Sequence, residues 1–563
     1  MFRAARFTLS ILAAFYLAAW ITYALHGDEP TPGKPRLAVL LIFDQFRGDY
    51  PTRWRELYGK DGINRLLNEG CWFSNCHYPY ANTVTGAGHA TLGTGCAPEK
   101  HGIVQNDWWD RAAGASVNCA AVDKYSQVPA SVARGKRGQT SGAPDRLLMP
   151  TLGDAVKEAT GGKGKVVAIS LKDRGAVLPA GKKPDAAYWF EAGQFVTSTY
   201  YRDQIHDWVA AFNAEKPADR WFGKDWTRLR TDISYETHSG PDDVAGEGAG
   251  VGQGRVFPHP MTGGADKVGS RYYGALYTSP FGNELMLDFT KRAIIAEKLG
   301  QHETPDLLSL SFSSNDAVGH AWGPDSQEVL DMTLRTDVLI ADLLKFLDER
   351  VGKGNYVIGM SADHGVVPLP EVSKAKGIDA ARFSVQQIQA QAEAHLKNKY
   401  ADKASANGKW IDSLNDADFY LNHRLIESAG LKLADVQMEL ATHLRTLPCT
   451  LTVFTADEVE RGLDLKDPVA SRVKRGFYAP RSGDVLAVVK PYWYGGPFLT
   501  GTGHGTPHPY DTHVPFIVFG PGIKPGERKD PVTPLMLPVV LGQAIGAELK
   551  TAQDGAPSGV FLR

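Results

Sequence analysis

The sequence predicts an α/β sandwich: a central, mostly parallel sheet flanked by helices, with cap insertions. Three observations carry this. Leu37–Phe43 (LAVLLIF), Val166–Ser170 (VVAIS), Leu307–Phe312 (LLSLSF) and Tyr356–Met360 (YVIGM) are short apolar-rich runs, as strands buried on both faces of a parallel sheet tend to be. Each leads to side chains capable of chemistry, namely Asp44, Lys172 with Arg174, Asp316 with His320, and Asp363 with His364. Open α/β sheets place their ligands at the carboxyl ends of strands. Stretches of helical period lie between the runs, so strand and helix alternate.

In chain order, Arg3 and Arg6 precede an uncharged run from Phe7 to Leu25, and the polar GDEPTPGKP follows. Residues 1–26 read as a signal peptide, with Thr22 and Ala24 as its small-residue cleavage pattern. A retained anchor is the alternative, because the run is nearly long enough to span a bilayer. Either way the bulk of the protein is exported, to the periplasm or the exterior, and a cleaved signal leaves no stable membrane association. The catalytic domain occupies 35–563. Leu152–Ala159, Glu284–Leu299 and Gln327–Val351 read as helices, the last with Leu330, Leu334, Val338, Leu344 and Leu347 along one apolar face. Segments of about 185–281 and 371–479 break the rhythm and read as insertions that wall the site. The glycine-dense patch at Gly246–Gly254 has no reading at this level. The sheet pattern resumes at Asp484–Lys490 and Val514–Gly520, and an apolar helix near Leu535–Leu549 closes the fold.

A chain of 563 residues exceeds one ordinary compact core, which fits one large catalytic unit with insertions. The formal net charge of -2 gives no global attraction for nucleic acid, so none is expected as a specific partner. Cys71, Cys76, Cys96, Cys119 and Cys449 are odd in number, so one or two disulfides and a free thiol are expected of an exported protein. The absence of a C-x-x-C pair argues against a thiolate zinc site.

Chemistry concentrates in Asn82–Asn106, NTVTGAGHATLGTGCAPEKHGIVQN. Thr85, in a glycine-flanked turn, is the candidate nucleophile; its hydroxyl needs a base or a metal to react at neutral pH. The rest of the chain supplies ligands. Asp316 and His320, at i and i+4 of a helical turn, face one way and can reach one ion. Asp363-His364 follows a strand, Asp44 ends another, and His504 sits in a glycine-rich Gly-Thr-Gly-His-Gly. This mix of nitrogen and oxygen donors suits Zn²⁺ best.

The order Asp44, Thr85, Asp316/His320, Asp363-His364, His504 resembles the alkaline phosphatase superfamily, in its secreted, threonine-nucleophile branch of the phosphate-irrepressible type. The resemblance covers most of the chain from about Arg36 onward, apart from the insertions. It implies two Zn²⁺ per chain, one held by Asp316, His320 and His504, the other by Asp44, Asp363, His364 and Thr85. His508 and His513 lie close by, but His504 is followed by glycine and a hydroxyl residue, as the family's ligand is. An additional structural Ca²⁺ is compatible with an exported protein.

The substrate class turns on cations. A monoester carries two negative charges on the transferred group, and Lys172 and Arg174 project to one side if the chain stays extended after its strand. Asn106 can add an amide donor. These three match the Asn, Lys and Arg of the phosphomonoesterase branch, so small phosphate monoesters of broad variety are the expected substrates, cleaved through a phospho-threonine. The phosphodiesterase/nucleotide pyrophosphatase branch, similar in its metal ligands but lacking the Lys and Arg pair, is the alternative. Cys96-Ala-Pro-Glu-Lys100 echoes a sulfatase signature, but Lys stands where that signature has Arg, so Thr85 keeps the nucleophile role. His89 and His101 are expected to hold loops by hydrogen bonds. The oligomeric state is not readable.

Overall fold

The computed structural model describes residues 33–130, 141–403, 408–496 and 499–562. The segment read as a signal peptide lies outside them. Among the described residues no helix is long and apolar enough to cross a membrane.

Ten strands form the central sheet: β1 (Leu37–Phe43), β2 (Cys71–Phe73), β3 (Gln127–Val128), β4 (Val166–Ser170), β5 (Ala186–Glu191), β6 (Gln194–Ser198), β7 (Asp306–Phe312), β8 (Tyr356–Ser361), β9 (Ile517–Phe519) and β10 (Gly526–Arg528). Their spatial order is β10-β2-β9-β8-β1-β7-β4-β5-β6-β3. The middle is parallel: β8, β1, β7, β4 and β5 run one way. Antiparallel pairs flank it on both sides, β8 with β9 and β9 with β2 on one, β5 with β6 and β6 with β3 on the other. The sheet is therefore mixed, parallel where the site is built.

All seven residues of β1 are buried, as are all of β4, β7 and β8. Each fully buried large apolar side chain there contributes about 1.5–3 kcal/mol. Register then sets function. Phe43 pairs with Phe312, Ile42 with Ser361, and Ser170 with Ser311, so the four strands end at one level. The residues just beyond each strand are thereby delivered to a single edge.

Helices α1 (Thr85–Thr94), α2 (Leu152–Ala159), α3 (Asp173–Ala180), α4 (Pro280–Ala296), α5 (Ser314–Trp322), α6 (Gln327–Leu347) and α7 (Met536–Ile545) include those that pack on the sheet. Helix α2 opens on a capping box, in which Thr151 and Asp154 satisfy each other's backbone donors. Helix α6 buries Leu330, Leu334, Leu344 and Leu347, but Val338 is 55% exposed. Successive i+4 steps drift by about 40° each, which carries Val338 off the face that Leu339 and Leu343 occupy.

Several expectations give way. Asn82–Asn106 is not a run of turns, because Thr85 begins a helix. The segment read as an insertion at 185–281 contributes two sheet strands, β5 and β6. Asp484–Lys490 does not return to the central sheet: Val485–Val489 joins Ile411–Asn415, Asp418–Leu421 and Thr450–Thr455 in a separate four-stranded sheet with its own apolar core. All five cysteines are buried and unbonded. Cys119 sits in a core separate from that of Cys71 and Cys76, while Cys96 Sγ donates to Thr551 O. The glycine-dense patch gains an account. Gly246, Gly250, Gly252 and Gly254 all have positive φ, and the coil they form buttresses the site. Gly248 N–H donates to Ala321 O at the end of α5, and Gly246 O accepts from Gly501 N–H beside His504.

Candidate active site

The sheet edge gathers three carboxylates and three imidazoles. Asp44 follows β1, Asp363 and His364 follow β8, Asp316 and His320 lie on α5 after β7, and His504 comes from the loop before β9. Asp44, Asp363 and His364 are fully buried, and Asp316 is 5% exposed. Asp316, His364 and His504 each place a donor atom within 4.8 Å of the others, and so do Asp44, Asp363 and His364. His364 thus borders both groups, its ring stacked on His504 at 3.5 Å between centroids. His320 Nε2 lies 3.0 Å from Asp316 Oδ1.

Each imidazole is aimed from behind. Nδ1 of His320 donates to Thr502 O at 2.6 Å, Nδ1 of His504 to Thr83 O at 2.8 Å, and Nδ1 of His364 to Gly365 O at 2.9 Å. A proton fixed on Nδ1 leaves the Nε2 lone pair facing the cluster, which is how metal-binding histidines are commonly oriented. Asp44 Oδ1 and Asp363 Oδ2 are buried with no hydrogen-bond partner among the described residues. Burial first, and then the Asp363 carboxylate, push Asp44 well above the usual carboxylate range. Burial, then His364 and His320, hold His504 well below the usual imidazole range. Against burial, Asp316 raises His320, whereas burial lowers His364 and His504, and these lowered imidazoles together with unpartnered buried acceptors fit bound divalent metal, whose charge would offset the clustered carboxylates.

Thr85 is the first residue of α1, 1% exposed, with Oγ1 3.4 Å from His364 Nε2. The helix N-terminus favours negative charge there. Asn106 Oδ1 accepts from Gly86 N–H at 2.7 Å. That bond fixes the amide orientation and leaves the NH₂ of Asn106 as its donor. The chain does not stay extended from Lys172 to Arg174: Lys172 is the extended N-cap residue of α3, and Arg174 is the helix's second residue. Lys172 Nζ bridges Asp44 Oδ2 at 2.6 Å and Asp316 Oδ2 at 2.7 Å. Burial opposes its charge, but Asp316 and Asp44 outweigh this and keep it an ammonium. Arg174 Nε is buried without a partner among the described residues. Burial opposes the charge of its guanidinium, but nearby acidic groups, Asp173 foremost, outweigh this and hold its pKa above the usual range.

His89 stays outside the ligand set. Its Nδ1–H is aligned with Thr85 O at 2.8 Å although Asp363 Oδ2 is 3.1 Å away, and its Nε2 meets Ser311 Oγ at 2.6 Å. His101 pairs with Thr91 Oγ1 and Ile103 N. Gln45 was not legible in the sequence. Its N–H donates to Asp363 Oδ1 and its Nε2 to Asp316 Oδ1 at 2.7 Å, tying the two acidic loops together. Its backbone is left-handed, with φ 65°. Only its place directly after Asp44 could have drawn attention to it.

The chain matches the profile of the family described as type I phosphodiesterase / nucleotide pyrophosphatase over residues 38–506. It is 36% identical over 501 residues to alkaline phosphatase PafA of Elizabethkingia meningoseptica, covering 88% of this chain and 89% of that protein. It is 34% identical over 511 residues to alkaline phosphatase PhoV of Synechococcus elongatus, covering 88% and 87%. The crystal structure of wild-type PafA superposes with a TM-score of 0.87 at 33% identity, over 94% of this chain and 99% of that one. A PafA variant with a threonine, an asparagine, a lysine and an arginine substituted superposes equally, with a TM-score of 0.87. With most of its length aligned to alkaline phosphatases in both sequence and fold, this chain is a phosphatase and belongs to the type I phosphodiesterase/nucleotide pyrophosphatase family of the alkaline phosphatase superfamily.

Proposed function

We propose that the chain hydrolyses phosphate monoesters of broad variety through a phospho-threonine on Thr85, with two Zn²⁺ as cofactors. The observation that carries this is the pair of largely buried cations at the carboxylate cluster. Lys172 bridges Asp44 and Asp316, and Arg174 has an unpartnered buried Nε. A dianionic phosphoryl group needs such donors, whereas a diester monoanion needs fewer. The four residue types substituted in the PafA variant are, in the same chain order, those of Thr85, Asn106, Lys172 and Arg174.

Asp316, His320 and His504 would hold one ion, and Asp44, Asp363, His364 and Thr85 the other. Zn²⁺, when bound, lowers the pKa of coordinated hydroxyl and water and neutralises charge on the transferred group. The protein does the positioning. The first turn of α1 presents Thr85 Oγ1 for in-line attack. As the Thr85 O–P bond forms, the hydroxyl proton passes to solvent, the ester O–P bond breaks and the alcohol departs with a proton from solvent. Lys172, Arg174 and the Asn106 amide hold the nonbridging oxygens through this step. Water then cleaves the phospho-threonine from the opposite side and restores the Thr85 hydroxyl. The N-terminal segment supports an exported, periplasmic or extracellular setting.

The test is a parallel assay of a phosphate monoester and its methyl diester at alkaline pH, with wild type, Thr85→Ala and Lys172→Ala. The monoester should be preferred, Thr85→Ala should abolish turnover, and Lys172→Ala should weaken the monoester reaction selectively. The family profile's own description favours a second reading, a phosphodiesterase. A faster diester reaction with Lys172→Ala silent would establish that reading instead.

A further inference from the structure

A cleft of about 130 Å³ is lined both by residues of the separate four-stranded sheet and by His504, Gly505 and Thr506 of the candidate site. Phe383, Phe419, Phe477, Leu486 and Val488 make its walls. Two polar side chains in this apolar setting are unsatisfied. Asp418 is 4% exposed, and its Oδ2 has no hydrogen-bond partner among the described residues. Gln105 is 3% exposed, and its Oε1 is likewise unpartnered. Both line the cleft. Buried acceptors left without donors are costly, and a ligand that supplies the donor removes the cost.

We propose that this cleft is a leaving-group subsite that takes a ring-sized apolar alcohol bearing an ammonium group, so that phosphate monoesters of such alcohols are favoured substrates. The proposal rests on the phosphomonoesterase reading and adds to it the class of alcohol. Three observations support it. The volume is comparable to a cavity that accepts a benzene ring. The position fits an in-line reaction: Thr85 lies beside the Asp44, Asp363 and His364 group, and His504, in the other group, lines the cleft. The departing oxygen leaves opposite the attacking one, hence toward His504 and the cleft. The chemistry is also complementary, because Asp418 and Gln105 offer acceptors, and an aryl or alkyl body satisfies the walls. Burial, with Asp416 adding to it, pushes the Asp418 carboxyl up to about 7, so it is charged at alkaline pH while an alkylammonium keeps its proton.

Binding can be read without turnover. Tyramine, a phenol with an aminoethyl arm, and 4-ethylphenol, its uncharged analogue, are titrated calorimetrically into the full chain at pH 8.5. Wild type, the isosteric Asp418→Asn and the cleft-filling Ala417→Trp on the half-buried Ala417 are compared. Tyramine should bind wild type at least tenfold more tightly than 4-ethylphenol. Asp418→Asn should bring the two within a factor of about two, and Ala417→Trp should weaken both about tenfold or more. Inorganic phosphate affinity should stay unchanged in both variants. For tyramine phosphate, the variant-to-wild-type ratio of kcat/KM should fall about tenfold in Asp418→Asn, while the same ratio for methyl phosphate stays near one. Equal binding of the two phenols to wild type, or tyramine binding indifferent to both variants, overturns the subsite even if methyl phosphate is hydrolysed normally. Tyramine binding that follows the expected pattern in a chain that cleaves no monoester would leave the subsite standing and remove the phosphomonoesterase reading.

Discussion

Lys172 makes a quantitative prediction that does not depend on turnover. Its ammonium lies 2.6 and 2.7 Å from two carboxylate oxygens, with side-chain exposures of 9%, 0% and 7% for Lys172, Asp44 and Asp316. At an effective dielectric of about 20, the Lys172–Asp316 pair is worth roughly 6 kcal/mol of gross attraction, and the Lys172–Asp44 contact matches it where Asp44, whose carboxyl burial pushes up, is ionised. Desolvation of the three charges offsets most of this, and breaking such a buried arrangement costs about 3–5 kcal/mol. Unfolding entropy of about 2.1 cal/mol/K per residue gives a 563-residue chain roughly 1.2 kcal/mol/K. Lys172→Ala should therefore lower the melting temperature of chelator-treated protein by about 2.5–4 °C. With Zn²⁺ restored, most of the loss should vanish, because bound cations would take over the charge of Asp44 and Asp316. Zinc should consequently raise the melting temperature of Lys172→Ala more than that of wild type. The assay is thermal unfolding by circular dichroism with and without chelator. If the metal-free variant melts within 1 °C of wild type, the ammonium does not hold these carboxylates, and the reasoning fails.

Chelation of the wild type should abolish phosphatase activity and lower the melting temperature, and Zn²⁺ should restore both, which atomic absorption of the reconstituted protein checks against two ions per chain. Gly88→Ala should reduce kcat on the order of a hundredfold, as removal of one electrostatic partner does. A Cβ at Gly88 would overlap the Asp363 carbonyl oxygen and come within 2.6 Å of Asp363 Cβ, forcing α1 away from the loop that carries His364; steady-state kinetics decides. Glu328 predicts a pH effect on stability. It is fully buried, its Oε1 is 3.1 Å from His259 Nε2, and burial pushes its carboxyl up to about 8. His259 Nδ1 donates to Gln253 O, so its Nε2 is an acceptor that a protonated Glu328 can serve. Because the folded pKa is raised above the unfolded value near 4.5, stability is full below that value and declines as pH rises toward about 8. Glu328→Gln keeps the donor without the charge, and its unfolding midpoint in urea at pH 9 should exceed the wild type's, with the two converging at pH 5.

The parallel heart of the fold was readable because each strand is a buried run that stops at a polar residue. Burial on both faces requires apolar sequence, and the site requires polar groups just beyond it. Asp44 and Asp363 are therefore visible as punctuation. Beyond the parallel middle, β9 was legible within Val514–Gly520, whereas β2 and β10, with three residues each, are too short to carry a period. The cysteines misled because their count carries no distance, and the fold leaves all five as buried free thiols. Val485–Val489 looked like a core strand because it is one, but of the other sheet, and apolar pattern does not say which partner a strand will find.

Helix α1 shows most clearly why the centre of the site resisted reading. Its sequence, TGAGHATLGT, holds three glycines, each costing about 1 kcal/mol of helix propensity relative to alanine. All ten residues are buried, so there is no polar face to give a 3.6-residue period. Both signals point to a turn, and both follow from the helix being wedged on all sides. Gly86 faces Cys119 and the Asn106 amide, Gly88 faces Asp363, and Gly93 faces Pro179 of α3. The glycines do not bend the chain; they let three neighbouring segments approach the helix backbone. The same logic applies on α5, where a Cβ at Gly319 would collide with Gln45 Oε1, the side chain that links Asp316 to the loop of β1. Thr85, Asn106, Asp363 and Asp316 are thus brought together by what their neighbours lack. Local propensity is given up at these positions in exchange for tertiary contact, and so the polar residues that gather at the sheet edge stood out in the sequence while the helix that carries Thr85 did not.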